Sequence, residues 1–193
     1  MFKKILIGTA IVLAVLIIGF VGIVAAQPSD FQVSRSININ SGPAAPFDQV
    51  NDFHKWSAWS PWEKIDPTMN RTYEGPASGT GAIYAWAGNG DVGEGKMTIT
   101  DTVPNELIKI KLEFFKPMEG ISPTEFSFKP EGDQTKVTWT MSGENNFIAK
   151  AVCLFMSMDR MIGDKFEEGL ANMKQVVESG EPAEKTTSGE PRA

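Results

Sequence analysis

Three patterns of apolar and polar positions divide the chain. Residues 5–26 carry no charged or strongly polar side chain and directly follow Lys3 and Lys4. As a helix these 22 positions would span about 33 Å, enough for a hydrocarbon core of about 30 Å. After a linker at 27–32 the period becomes two. Val33, Arg35, Ile37 and Ile39 alternate with Ser34, Ser36, Asn38 and Asn40, which predicts a strand. Ser41, Gly42 and Pro43 break it, and 47–53 and 57–61 read as a short helix and a helical turn. Alternation then dominates 70–143, with strands predicted at 82–87, 95–101, 107–115, 124–129 and 136–141. The glycines at 88 and 90 and the Glu131-Gly132-Asp133 step mark hairpin turns.

The third pattern has the helical period. Ile148, Val152, Phe155, Ile162, Phe166, Leu170, Met173 and Val177 recur at steps of three, four or seven. This predicts one long helix with a single apolar face over 148–177. Residues 179–193 are Gly, Pro, Glu, Lys, Thr and Ser in the main and are expected to be a disordered tail. The order is strand, short helices, about six further strands and a long helix. That is an α+β domain in which one apolar sheet face and one apolar helix face cover each other, with 33–178 as its extent.

Charge and chemistry narrow the picture by exclusion. Without the two leader lysines the formal charge of −6 becomes −8, and no Lys/Arg cluster interrupts the domain. A nucleic-acid partner is therefore not expected. The single cysteine, Cys153, and the single histidine, His54, cannot make an internal disulfide or a clustered metal site. Cys153 reads as a small apolar side chain and His54 as a structural or exposed one. No phosphate loop, nucleotide fingerprint or serine elbow is present. No metal and no cofactor are expected.

Three stretches carry a resemblance. They are Asn51 to Trp56 continuing through Ser60-Pro61-Trp62, then 79–86, then Met158 to Gly163 continuing through Phe166-Glu167-Glu168-Gly169-Leu170. With the element order, these resemble the START/Bet v 1-like (SRPBCC) superfamily, in its bacterial polyketide cyclase/dehydrase and lipid transport branch. The resemblance implies a helix-grip fold, a curved antiparallel sheet of about seven strands wrapped on the C-terminal helix, with an apolar cavity between them. It also implies a lipid, sterol, polyketide or other hydrophobic small molecule as ligand. Some members are enzymes.

The candidate cavity lining is Tyr84, Trp86, Ile110, Leu112, Phe114, Phe126, Phe128, Trp139 and Met141 from the strands, with Phe155 and Met158 from the helix. The Tyr84 hydroxyl and the indole N–H groups of Trp86 and Trp139 are candidate polar contacts. Asp159 is a possible further polar handle, with Arg35 or Lys150 as an ion-pair partner. Trp56, Trp59 and Trp62 read first as a plug packed on the sheet. No pair of carboxylates is spaced for acid–base work, so no catalytic residue is assigned.

The leading expectation is a membrane-tethered binding domain for a hydrophobic ligand. A cyclase- or dehydratase-like enzyme using Tyr84 and Asp159 is the alternative, and a cavity-less interaction or stress module is a third reading. The leader is read as a single-pass anchor that holds the domain on the extracytoplasmic side. The small residues at 24–26 leave signal cleavage and secretion open.

Overall fold

The computed structural model describes residues 2–155 and 157–179. Apart from Ser179, the expected tail lies outside the described residues. The chain begins with helix α1 (Phe2–Ala25), followed by strand β1 (Asp30–Ile39), helix α2 (Ala44–Asn51), a 3₁₀ helix η1 (Phe53–Ala58) and a single turn α3 (Trp62–Ile65). Strands β2 (Asn70–Glu74), β3 (Ile83–Ala87), β4 (Glu94–Val103), β5 (Leu107–Lys116), β6 (Gly120–Glu131) and β7 (Gln134–Glu144) come next. Helices α4 (Phe147–Cys153) and α5 (Met158–Ser179) end the described chain. β1 starts inside the stretch read as a linker.

All seven strands form one antiparallel sheet in the order β1-β7-β6-β5-β4-β3-β2. The strand alternation read from the sequence holds. Val33 and Ile39 on β1, Ile108 and Ile110 on β5, Phe126 and Phe128 on β6, and Val137, Trp139 and Met141 on β7 are buried. Helix α5 lies across β1 and β7 and buries Phe166, Leu170 and Met173 against that face. This is the helix-grip arrangement that the resemblance implied.

The single helix expected over 148–177 is instead two. The chain leaves helical geometry after Cys153 and α5 starts at Met158. A new N-terminal signal sits in the break, where the Ser157 hydroxyl accepts from the Arg160 N–H. As a result only the second half of the stripe joins the core. Ile162, Phe166, Leu170, Met173 and Val177 pack on it, while Ile148, Val152 and Phe155 are exposed, Phe155 by 81%.

Helix α1 is long and apolar enough to cross a membrane, a test that a signal sequence near an N-terminus also passes. Among the described residues of α1, only Val24 is buried, and α1 packs against α4. The Asn145 N–H donates to the Ser29 carbonyl at 2.6 Å, joining the α1–β1 connection to the β7–α4 connection.

Candidate functional site: an apolar cavity under helix α5

Helix α5 approaches the sheet through two glycines. Beside Gly163 lies the guanidinium of Arg35, which a side chain at 163 would displace. Beside Gly169 lie Trp139 Cζ3 and Pro61 Cδ, each 3.0 Å from where a Cβ would sit. Between them Phe166 stacks face to face on Trp139, with centroids 4.0 Å apart and planes 8° from parallel. Arg35, the one charged residue on the inward face of β1, donates from Nη1 and Nη2 to both Asp159 oxygens, at 2.9 and 3.0 Å, and from Nε to Glu167 at 2.6 Å. These bonds raise the Arg35 pKa, and its hydrogen bonds hold Asp159 below the usual carboxylate range. The Gly-x-x-Phe-Glu-x-Gly-Leu run is therefore a helix-docking device, with Leu170 buried behind it.

Below this contact an apolar cavity of about 340 Å³ opens between α5, α3 and the sheet. Trp62, Tyr84, Trp86, Met97, Leu112, Phe114, Trp139, Met141, Ile162 and Phe166 form most of its wall. Its rim comes from residues 90–93 of the β3–β4 turn and from Lys116 and Pro117 after β5. Antiparallel order puts these turns at the same end of the sheet as the start of β1 and the end of β7.

Six of the residues named from sequence stand together on this wall: Tyr84, Trp86, Leu112, Phe114, Trp139 and Met141. Ile110, Phe126 and Phe128 point inward as expected but do not border the cavity. They are buried in the core, where the side chains of α2 and η1 cover them: Phe47 packs edge-on against Phe128, and Trp56 and Trp59 against Phe126. Phe155 and Met158 are displaced by the helix break and border a separate groove between the α1–β1 connection and the α4–α5 turn. Asp159 is not a cavity handle. Its side chain is 61% exposed and is held by Arg35.

The polar groups of the wall divide sharply. Tyr84 Oη donates to Glu63 Oε1 at 2.5 Å, and Arg71 Nε donates to Glu63 Oε2 at 2.7 Å. Burial, then this hydrogen bond, pushes the Tyr84 phenol well above its ordinary pKa, so it stays a neutral donor. Burial alone would lower the Arg71 pKa, but the bond and charge of Glu63 leave it raised. Glu63 and Arg71 were not among the sequence candidates, because no local spacing links a residue of α3 to one of β2. The indole N–H of Trp86 donates to the Val92 carbonyl, that of Trp56 to Val50 and that of Trp59 to Gln49. Trp139 Nε1, in a residue only 3% exposed, has no hydrogen-bond partner among the described residues.

The tryptophans at 56 and 59 are a plug, as their spacing suggested. Trp56 in η1 and Trp59 at its C-terminal cap both lie over Phe126 and Trp139. Trp56 also borders the cavity, as does Trp62, which meets both Trp139 and Phe166 edge-on there. His54 stacks on Tyr73 at 4.1 Å and shares a hydrogen bond with Asp52. Among the described residues no group of His, Cys, Asp and Glu gathers with the spacing of a metal site.

Comparison with solved structures places this architecture among known folds. The solution structure of the Aha1 dimer from Colwellia psychrerythraea matches with a TM-score of 0.56 at 17% identity, over 78% of this chain and 98% of that one. A solution NMR structure of a protein from Arthrobacter aurescens matches with a TM-score of 0.57 at 14% identity, over 83% and 93%. The crystal structure of Ara h 8.0201 matches with a TM-score of 0.53 at 9% identity, over 78% and 99%. At these identities the likeness is one of fold, the Bet v 1-like helix-grip. Among curated proteins none matches the sequence. A family profile does match, across residues 30–178 and so over the whole sheet and nearly all of α5. The chain belongs to the family described as polyketide cyclase / dehydrase and lipid transport.

Proposed function

We propose that this protein is a membrane-anchored binding domain that holds one small apolar molecule, or a single acyl chain, in the cavity under α5. The observation that carries the reading is the cavity itself, walled by Trp, Phe, Leu, Ile and Met side chains. A volume of about 340 Å³ lies at the low end of small-molecule pockets. At ~30 Å³ per water-sized group it takes roughly a dozen heavy atoms. That suits one chain or one ring system better than a two-chain lipid. Burial of apolar ligand surface supplies the affinity, at about 25 cal/mol per Å² before the costs of association. Trp139 Nε1 supplies the orientation, by donating to a ligand carbonyl or carboxylate.

Binding is favoured over catalysis by the state of the titratable groups on the wall. Glu63 and Tyr84 are bonded to each other and Glu63 also to Arg71, so neither faces the cavity as a free acid or base. Helix α1 serves as a retained anchor with the domain outside, because Lys3 and Lys4 precede its apolar run Ile5–Ala25, whose 21 residues exceed a usual signal core.

Titration calorimetry of the full-length protein in lipid nanodiscs with dodecanoate tests the cavity. Saturable binding is expected. Leu112→Trp, which fills the cavity from β5, is expected to lower the affinity by about tenfold or more. Equal binding by the two proteins would contradict the reading.

A further inference from the structure

The exposed apolar side chains of the domain are concentrated at one end. Phe147, Ile148 and Val152 of α4, with Phe155 just after it, are all more than two-fifths exposed. At about 100° per residue Phe147, Ile148 and Val152 share one side of α4, whereas Lys150 and Cys153 turn the other way, into the groove beside the α1–β1 connection, which Phe155 also borders. Phe115, Met118 and Ile121, around the β5–β6 turn, are equally exposed. By strand order that turn lies at the end of the sheet where α1 attaches.

The position of α1 says what covers this surface. Its apolar run Ile5–Ala25, 21 residues, spans about 32 Å and so matches a hydrocarbon core of about 30 Å, which puts the end of α1 at the membrane surface. Its last turn holds Val24, the buried residue of α1, and α1 packs on α4. Four residues, 26–29, connect α1 to β1, and the Ser29–Asn145 hydrogen bond ties them to the start of α4. The domain cannot drift more than a short distance from the bilayer, and α4 is held at the depth of the interface.

We propose that α4 is an interfacial helix whose Phe147, Ile148 and Val152 face, with Phe155 just after it, lies in the lipid surface, setting the domain down with its cavity rim toward the bilayer. The proposal rests on the reading of α1 as a retained anchor. The rim residues 90–93, Lys116 and Pro117 occupy the same end of the sheet as α4. A ligand of acyl-chain chemistry then passes between leaflet and cavity without crossing water. The apolar face carries no cluster of lysine or arginine, so docking comes from apolar burial and is insensitive to salt.

The test uses full-length protein in phosphatidylcholine vesicles, with Cys153→Ser and a single NBD-labelled cysteine placed by Phe155→Cys or by Asp133→Cys. Asp133 lies in the β6–β7 turn, at the opposite end of the sheet. Lipids carrying a shallow doxyl quencher are expected to remove roughly half or more of the emission at 155 and none at 133, at low and high salt alike. Protein that stays in the vesicles at alkaline pH but is unquenched at 155 overturns the docking and leaves the anchor standing. Protein released at alkaline pH overturns both. Dodecanoate binding reports on the cavity alone, so that reading stands or falls separately.

Discussion

Trp139 joins the core to the candidate site. Its ring stacks on Phe166 of α5 and, at 4.7 Å, on Phe126 of β6, and its N–H is left over. A buried donor without a partner costs about 1–3 kcal/mol, which a ligand acceptor would recover. Trp139→Phe keeps an aromatic ring in the stack and removes the donor. Its expected effect is roughly a tenfold loss of dodecanoate affinity with no fall in melting temperature; a fall in melting temperature with affinity unchanged would assign the indole a purely structural role. Gly169 shows the opposite logic, since its value lies in what it lacks. Gly169→Val would press on Trp139 and Pro61, and is expected to destabilise the fold by about 1–3 kcal/mol in urea titrations. Single residues were only partly legible. Alternation named six residues that stand on the cavity wall, but it could not tell the wall from the core. Ile110, Phe126 and Phe128 satisfy the same pattern, and only the packing of α2 and η1 separates them from the cavity. The Glu63–Arg71–Tyr84 set joins three elements and leaves no periodic trace.

At the scale of elements, strands and turns could be read because each rests on local chemistry, with apolar side chains on one face and glycine at the bends. β6 runs farther than expected because Pro123 does not end it. There β6 pairs with β5 alone, and pairing to β7 begins only at Thr124, so no bond to β7 is lost. The break between α4 and α5 escaped detection for a related reason. The apolar spacing continues through it, yet the two halves meet different surroundings. Leu170 belongs to the half that docks, and Leu170→Ala is expected to cost about 2–5 kcal/mol, measured by denaturant unfolding. Asp66 belongs to the loops at the cavity rim. Its carboxylate accepts from Thr68 Oγ1 at 2.7 Å and from the Asn89 N–H at 2.9 Å, bridging the start of β2 to the β3–β4 turn. The hydrogen bonds from Thr68 and then Asn89 hold its pKa below the ordinary 3.8. A carboxylate depressed in the folded state adds stability above its unfolded pKa and loses it as pH falls through the folded value. Asp66→Asn should therefore lower the melting temperature at pH 7 and flatten its decline below about pH 4. An unchanged acid limb would remove Asp66 from that role.

For the whole molecule, sheet and helix enclose a small apolar space whose rim lies at the end from which α1 departs. The order of elements, the one-sided strands and the Gly-x-x-Phe-Glu-x-Gly-Leu run already pointed to a helix on a curved sheet. What they could not reveal is that the rim, α4 and the end of α1 converge, because residues 24, 90, 116 and 148 meet only through the sheet topology. The central claim is that the cavity is occupied. Native mass spectrometry of the full-length protein released from its own membranes tests this most directly, since it reports retention of residues 1–26 and any bound molecule in one spectrum. The account predicts an intact chain carrying one small apolar adduct, lost or strongly reduced in Leu112→Trp. An intact chain without an adduct, or an adduct retained in full by Leu112→Trp, would contradict it.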